Sequence, residues 1–74
     1  MKRYECHKVV NAKPMSRAEY NDFRGWELPT DEDGADAGFL VEYIDGGEPN
    51  TKEYTGYVSW SPAGVFERGY NLAE

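Results

Sequence analysis

The chain has 74 residues, with one cysteine, one histidine, 14 acidic residues and eight basic residues, and its formal net charge is −6. That length provides one domain with a thin core, and the chain has neither an internal disulfide nor a Cys/His zinc cluster to stabilise it. The charge is uneven, because residues 1–24 carry six basic and three acidic side chains (net +3), whereas residues 25–74 carry two and eleven (net −9). Such an acidic excess argues against direct binding to a nucleic-acid backbone, which depends on lysine and arginine.

The first two predicted elements are a strand and a short helix. The strand runs from Tyr4 to Ala12 and is ended by Pro14. The helix is predicted from Arg17 to Arg24, because Ser16 and Glu19 have the spacing of a capping box. In that motif the serine hydroxyl and the glutamate carboxylate each bond to the other residue's backbone amide.

Two further strands are predicted in the second half of the chain. An acidic loop covers residues 30–37, and the apolar run from Phe39 to Ile44 follows it as the central strand. After a polar excursion, the segment from Gly56 to Trp60 returns as the next strand.

A second helix is predicted at the end of the chain. Ser61 is expected at its N-cap and Pro62 at its first position, where the missing amide costs nothing. The helical period places Val65, Phe66 and Tyr70 on its inner face. The predicted fold is therefore a single α+β domain over residues 1–74, in the order β-α-β-β-α. We expect a three-stranded, mainly antiparallel sheet with both helices on one face, or alternatively a curled, barrel-like sheet plugged by the helices.

No catalytic apparatus is predicted, so the chain is not expected to be an enzyme. Cys6 and His7 are adjacent, and on a strand they would point to opposite faces and could not act as a pair. No glycine-rich phosphate-binding motif is present. We expect no cofactor.

The acidic loop contains Asp31, Glu32, Asp33 and Asp36. It is expected to be a solvated loop or part of a surface for a basic protein partner. A calcium site is not predicted, because the sixth position of an EF-hand loop requires glycine and Asp36 stands there instead. We therefore assign no metal ligands.

Arg24, Trp26 and Trp60 form a second candidate site. The two tryptophans lie beside helix ends and are expected to pack at corners of the core. Tryptophan and arginine also dominate binding hot spots, so the three residues could alternatively bind a nucleotide or another planar anionic ligand.

The sequence carries neither a recognisable targeting segment nor an apolar run long enough to span a membrane. We therefore expect no membrane partner and a cytoplasmic location, which suits a lone thiol. The thin core and the many aromatic residues favour a homodimer or larger assembly.

Several stretches of the sequence resemble a family of short proteins of tailed phages and prophages of Gram-negative bacteria. They are Lys13 to Trp26, Gly38 to Tyr43, Gly56 to Pro62, and Val65 to Glu67 with Tyr70 following. The resemblance covers nearly the whole chain. It implies a phage protein in the host cytoplasm and carries over no established activity or site residues.

The end of the chain is also similar to phage Thoeris anti-defence sponges, which sequester signalling nucleotides as oligomers. The similar features are a strand leading into Trp60 and Pro62, and a short helix closed by an aromatic residue. Three hypotheses follow. The favoured one is a phage accessory protein that binds a host macromolecule, for instance to inhibit a defence enzyme. The others are a nucleotide-binding sponge and a structural or assembly protein of the virion.

Overall fold

A computed structural model describes residues 1–73 of the chain. Its elements are β1 (Val10–Pro14), α1 (Arg17–Arg24), β2 (Gly38–Tyr43), β3 (Tyr57–Pro62) and α2 (Ala63–Gly69). The three strands form one antiparallel sheet in the order β1-β2-β3, so β2 is the central strand and the other two are edges. The predicted α+β class and element order are confirmed.

Helix α1 begins and ends where its sequence signals place it. The Glu19 amide donates to the Ser16 hydroxyl at 3.2 Å, and the Ser16 amide donates to the Glu19 carboxylate at 2.8 Å, which completes the capping box. This backbone bond from Ser16 lowers the pKa of Glu19. Its contribution to stability is therefore present at neutral pH and is lost as the pH falls through that lowered value. Gly25 closes the helix in the left-handed conformation, with φ of 73°.

The core lies between α1 and one face of the sheet. Tyr20 of α1 packs with Leu40 of β2 and Val58 of β3, and all three side chains are buried. Partly buried apolar side chains surround this cluster, namely Met15, Phe23, Tyr54 and Trp60. Since α1 has only eight residues, its stability depends on this packing rather than on helix propensity alone.

Helix α2 packs on the opposite face, so the expectation that both helices cover one face is wrong. Phe66 of α2 stacks on Phe39 with ring centroids 4.4 Å apart, and Phe39 and Leu40 are neighbours in a strand and therefore point to opposite faces. Tyr70 continues the stack at 4.8 Å from Phe66. Val65, which the helical period placed inside, is 54% exposed.

The first strand begins at Val10 rather than at the predicted Tyr4, and it ends at Pro14 rather than at Ala12. Val10 pairs with Tyr43, the last residue of β2, so residues 4–9 have no strand to pair with. Pro14 remains in the strand opposite Phe39. This is compatible with its missing amide because β1 is an edge strand, where proline is tolerated.

The junction between β3 and α2 also differs from the prediction. Ser61 and Pro62 are still paired with Phe39 and Gly38, so β3 extends two residues beyond Trp60. Pro62 is the N-cap of α2 and makes no side-chain cap bond, whereas the sequence predicts Ser61 at that position. The chain thus passes from β3 into α2 without a connecting loop, which explains why α2 remains close to the sheet.

A glycine in β2 makes room for the Trp60 indole. A methyl group at Gly38 would overlap the Trp60 ring and the Ser61 carbonyl oxygen. With that space free, the indole Nε1 donates a 2.7 Å hydrogen bond to the Met15 carbonyl. The bond ties β3 to the turn between β1 and α1.

The free edge of β3 is covered by a side chain. Asn50, in the loop between β2 and β3, donates from Nδ2 to the Val58 carbonyl at 2.9 Å and accepts at Oδ1 from the Val58 amide at 2.8 Å. The carboxamide therefore occupies the place of a neighbouring peptide group. It blocks that position of the edge against pairing with another chain.

Replacing Ser16 with alanine is expected to lower the free energy of unfolding by about 0.5–2 kcal/mol, because it removes the N-cap acceptor. For a domain of this size each kcal/mol lowers the melting temperature by about 4–8 °C. Thermal denaturation followed by circular dichroism measures the shift. Ser16→Thr, which keeps a hydroxyl, is the control, and equal losses in both variants would contradict the capping role.

Replacing Gly38 with alanine is expected to destabilise the protein by about 1–3 kcal/mol, because the added methyl group displaces the Trp60 indole. The measurements are chemical denaturation and the tryptophan emission spectrum. Gly64→Ala in α2 is the matched control, since its methyl group would approach only the Arg68 guanidinium, at 3.6 Å. We expect the control to gain up to about 1 kcal/mol. Equal stability of the Gly38 variant and the native protein would show that the indole adjusts without loss.

Candidate functional site

A groove of about 560 Å³ lies between α1, the segment that follows α1, and β3. We call it the α1–β3 groove. The side chains that define its chemistry are two arginines, two tryptophans and two glutamates: Arg17, Arg24, Trp26, Trp60, Glu27 and Glu32. It lies on the same face of the sheet as the core, so Tyr20 and Val58 also line it.

Helix α1 supplies the cations of the groove. Arg17, Asn21 and Arg24 follow one another at spacings of four and three residues and therefore lie along one side of the helix. The Asn21 side chain donates to the Arg17 carbonyl at 2.9 Å. The two guanidinium groups lie in different surroundings.

Arg17 is held between an aromatic ring and two carboxylates. Its guanidinium carbon lies 4.5 Å from the Trp60 ring centroid. Its Nη2 atom lies 3.1 Å from Asp36 Oδ2, and its Nη1 atom lies 3.4 Å from Glu32 Oε1. Its charge is thus balanced within the protein, and its main contribution to the groove is a fixed planar surface.

Arg24 is anchored but keeps its charge available. Its guanidinium carbon lies 4.3 Å from the Trp26 ring centroid, and its Nη1 atom donates to the Tyr20 hydroxyl at 2.7 Å. Within residues 1–73, no carboxylate forms an ion pair with it. Trp26 is 52% exposed, so an arginine and a tryptophan face are both presented to solvent at one end of the groove.

The structure brings together the three residues proposed as a ligand site, since Arg24, Trp26 and Trp60 all line the α1–β3 groove. Trp60 also has the structural role predicted for it, because its indole nitrogen is bonded to the Met15 carbonyl. Sequence reasoning missed Arg17 and Tyr20. The spacing of Arg17 and Arg24 on one helix side was the signal that indicated a shared surface.

The acidic loop is docked on α1 and is not simply a solvated loop. The Arg17 amide donates to the Asp36 carbonyl at 3.0 Å, and the Ala18 amide donates to the Gly34 carbonyl at 2.9 Å. These bonds satisfy amides in the first turn of the helix that would otherwise lack partners. The Asp33 carboxylate accepts from the Ala35 amide at 2.9 Å.

The four acidic residues proposed as a partner surface therefore have different roles. Glu32 and Asp36 pair with Arg17, and Asp33 stabilises the loop itself. Asp31 is exposed, and its side chain forms neither a hydrogen bond nor an ion pair within residues 1–73. Within residues 1–73, Asp31 is thus the one member of this set whose side chain is both exposed and free of bonds to other groups.

Among residues 1–73, no three His, Cys, Asp or Glu side chains are grouped in a way that could hold a metal ion. In the same part of the chain, neither helix has the length and apolar character needed to cross a bilayer. Cys6 is exposed. Comparison of the chain with protein-family models, with curated proteins and with solved structures gives no match.

Neutralising Glu32 and Asp36 together, as Glu32→Gln and Asp36→Asn, is expected to lower the melting temperature. The two ion pairs are partly exposed, so the loss is at most about 1 kcal/mol for each pair. Thermal denaturation at low and high salt measures it, and salt is expected to shrink the difference between native protein and variant.

The matched control neutralises Asp31 and Asp33, as Asp31→Asn and Asp33→Asn. It removes the same charge but keeps an oxygen acceptor for the Ala35 amide and leaves Arg17 paired. Its melting temperature is expected to be unchanged or slightly raised, because repulsion within the loop decreases. If the two double variants lose the same stability, the Arg17 pairs contribute nothing specific.

Proposed function

We propose that the chain is a non-enzymatic phage accessory protein that acts in the host cytoplasm by binding a host protein, and that the α1–β3 groove is its contact surface. The observation that carries the proposal is the pair of Arg24 and the half-exposed Trp26, held beside Trp60 in a single groove. Arginine and tryptophan are the side chains most enriched among residues that dominate binding energy. Here both are already ordered, so little conformational entropy is lost on binding.

The charge of the groove supports a protein partner rather than a nucleotide. Two glutamates, Glu27 and Glu32, offset the two arginines of the groove, so that it has no excess of positive charge, and the chain carries a net charge of −6. A nucleotide would bring phosphate charges towards these carboxylates, which opposes binding. A protein can place one carboxylate or carbonyl on Arg24 and basic side chains at the acidic rim, so that the charges are complementary.

The nucleotide-sponge hypothesis is the second candidate, and one feature favours it. Arg24 lies between Tyr20 and Trp26 with its charge available, which suits a planar anionic group. A thermal-shift screen of mononucleotides and cyclic dinucleotides separates the two hypotheses. A saturable rise in melting temperature that Trp26→Ala removes would favour the sponge over the protein partner.

The direct test is affinity capture from host lysate, followed by measurement of binding to each purified candidate. We expect Trp26→Ala to weaken binding of the true partner by at least about 2 kcal/mol, roughly 30-fold. Arg68→Ala in α2, which lies on the other face of the sheet, is the control and should bind as the native protein does. A partner whose affinity is insensitive to Trp26→Ala and Arg24→Ala would rule out the groove.

The kinetics of association test the charge argument separately. The Asp31→Asn, Asp33→Asn variant is expected to bind with a slower association rate and an unchanged dissociation rate, because exposed charges mainly steer encounter. Rising salt should slow association of the native protein more than that of the variant. Nucleotide binding would remain unchanged or improve in this variant. Equal association rates at low salt would remove the electrostatic support for a basic partner.

A further inference from the structure

The two edges of the sheet differ in how they are protected. The Val58 amide and carbonyl are bonded to Asn50 and therefore point away from β2. Val58 lies opposite Glu42, so the backbone groups of Glu42 point the other way, towards Asn11 of β1. Because these directions alternate along a strand, the amides and carbonyls of Val10 and Ala12 point outwards from β1.

The outer edge of β1 is open. Within residues 1–73, no backbone or side-chain group is bonded to the outward amides and carbonyls of Val10 and Ala12, in contrast to Val58 on β3. Asn11, Ala12, Lys13 and Pro14 are all exposed. An exposed edge with free backbone groups is a template for pairing with another strand.

An apolar groove of about 700 Å³ lies next to this edge, on the face that carries α2. Its apolar lining includes Val9, Val10, Phe39, Phe66, Tyr70 and Leu72, and the charged residues Lys8 and Glu67 lie at it as well. Two of these are strongly exposed, Val9 at 60% and Leu72 at 86%. Since α2 has only seven residues, it covers only part of the apolar face. We call this the α2-face groove.

The chain exposes more surface than a compact monomer of its mass. The accessible area is 6063 Å², whereas a folded monomer of 8.4 kDa is expected to expose about 4,600 Å². Residues 1–9, which are all exposed and belong to no helix or strand, account for part of this excess of roughly 1,400 Å², and Lys8 and Val9 of this segment reach the α2-face groove beside the β1 edge. The radius of gyration, 13.5 Å, is likewise larger than the ~11 Å expected for a compact domain of this length.

We infer that the β1 edge and the α2-face groove form an interface with a second copy of this chain. In the dimer, β1 pairs antiparallel with the partner's β1 about a two-fold axis perpendicular to the sheet. Pro14 has no amide to offer, so the pairing is centred on Val10 to Ala12. Because the axis is perpendicular to the sheet, the α2 faces of both copies lie on the same side of the joined sheet. The two α2-face grooves therefore meet on one side of a continuous six-stranded sheet, and each α1–β3 groove remains free at an outer end.

Sedimentation equilibrium from low to high micromolar concentration tests this inference. The native chain is expected to approach 2 × 8.4 = 16.8 kDa as its concentration rises. Because each copy carries a charge of −6, added salt should leave the dimer unchanged or strengthen it, opposite to its effect on a basic host partner. A native chain that remains at 8.4 kDa at the highest concentration would overturn the inference.

The decisive variant is Ala12→Pro. Its lost amide points away from β2, so the internal ladder is kept, while pairing with a second copy is blocked. We expect a folded monomer, and we expect Ala12→Ser, which keeps the amide, to remain a dimer. A folded Ala12→Pro protein that is still a dimer would overturn the inference.

Leu72→Asp decides the question independently of any effect of proline on folding. The Leu72 side chain is almost fully exposed in the single chain, so the variant should fold normally. We expect its dimer dissociation constant to rise at least tenfold, because a carboxylate would enter the shared apolar groove. An unchanged constant would exclude the α2-face groove as the interface. None of these substitutions touches the α1–β3 groove, so the inference can fail while the proposed function stands.

Discussion

The hydrogen bond from the Trp60 indole to the Met15 carbonyl joins parts of the chain that are 45 residues apart. It fixes β3 against the turn where β1 passes into α1, and it depends on the absence of a side chain at Gly38. The indole that makes this bond is also the surface on which Arg17 stacks, and Arg17 holds the acidic loop through Glu32 and Asp36. Trp60 therefore contributes to the core, to the docking of the acidic loop and to one wall of the α1–β3 groove. Because the domain has few fully buried apolar side chains, a residue with three structural roles is difficult to replace.

Placing one helix on each face of the sheet divides the molecule into two surfaces with different chemistry. The face under α1 carries the buried cluster of Tyr20, Leu40 and Val58, and its rim presents arginine and tryptophan. The face under α2 carries stacked aromatic rings and an apolar groove that one short helix leaves partly uncovered. With both helices on one face, the other side of the sheet would be bare. The observed arrangement gives two half-covered faces, each able to engage a partner without obstructing the other.

The features predicted correctly from the sequence are those that local chemistry decides. The ends of α1 follow from Ser16, Glu19 and Gly25, which act within a single helical turn, and β2 follows from its apolar run. Features that depend on partners distant in the sequence were missed. The strand predicted from Tyr4 lacks a partner beyond Tyr43, and the docking of the acidic loop depends on amides of a helix that precedes it in the chain. Residue type selected Arg24, Trp26 and Trp60, which line one groove in the structure, whereas the position of Arg17 depends on packing that brings Trp60 beneath it.

Deamidation of Asn50 would change the protection of the β3 edge. The carboxamide imitates a peptide group, presenting an oxygen to the Val58 amide and a nitrogen to the Val58 carbonyl. Deamidation to aspartate would keep the first bond and replace the donor of the second by an oxygen that repels the carbonyl. The loop would then loosen from β3 and expose backbone groups that pair readily with other chains. A hydrolysis that barely alters the size of one loop side chain would thus open the β3 edge at Val58 to pairing with another chain.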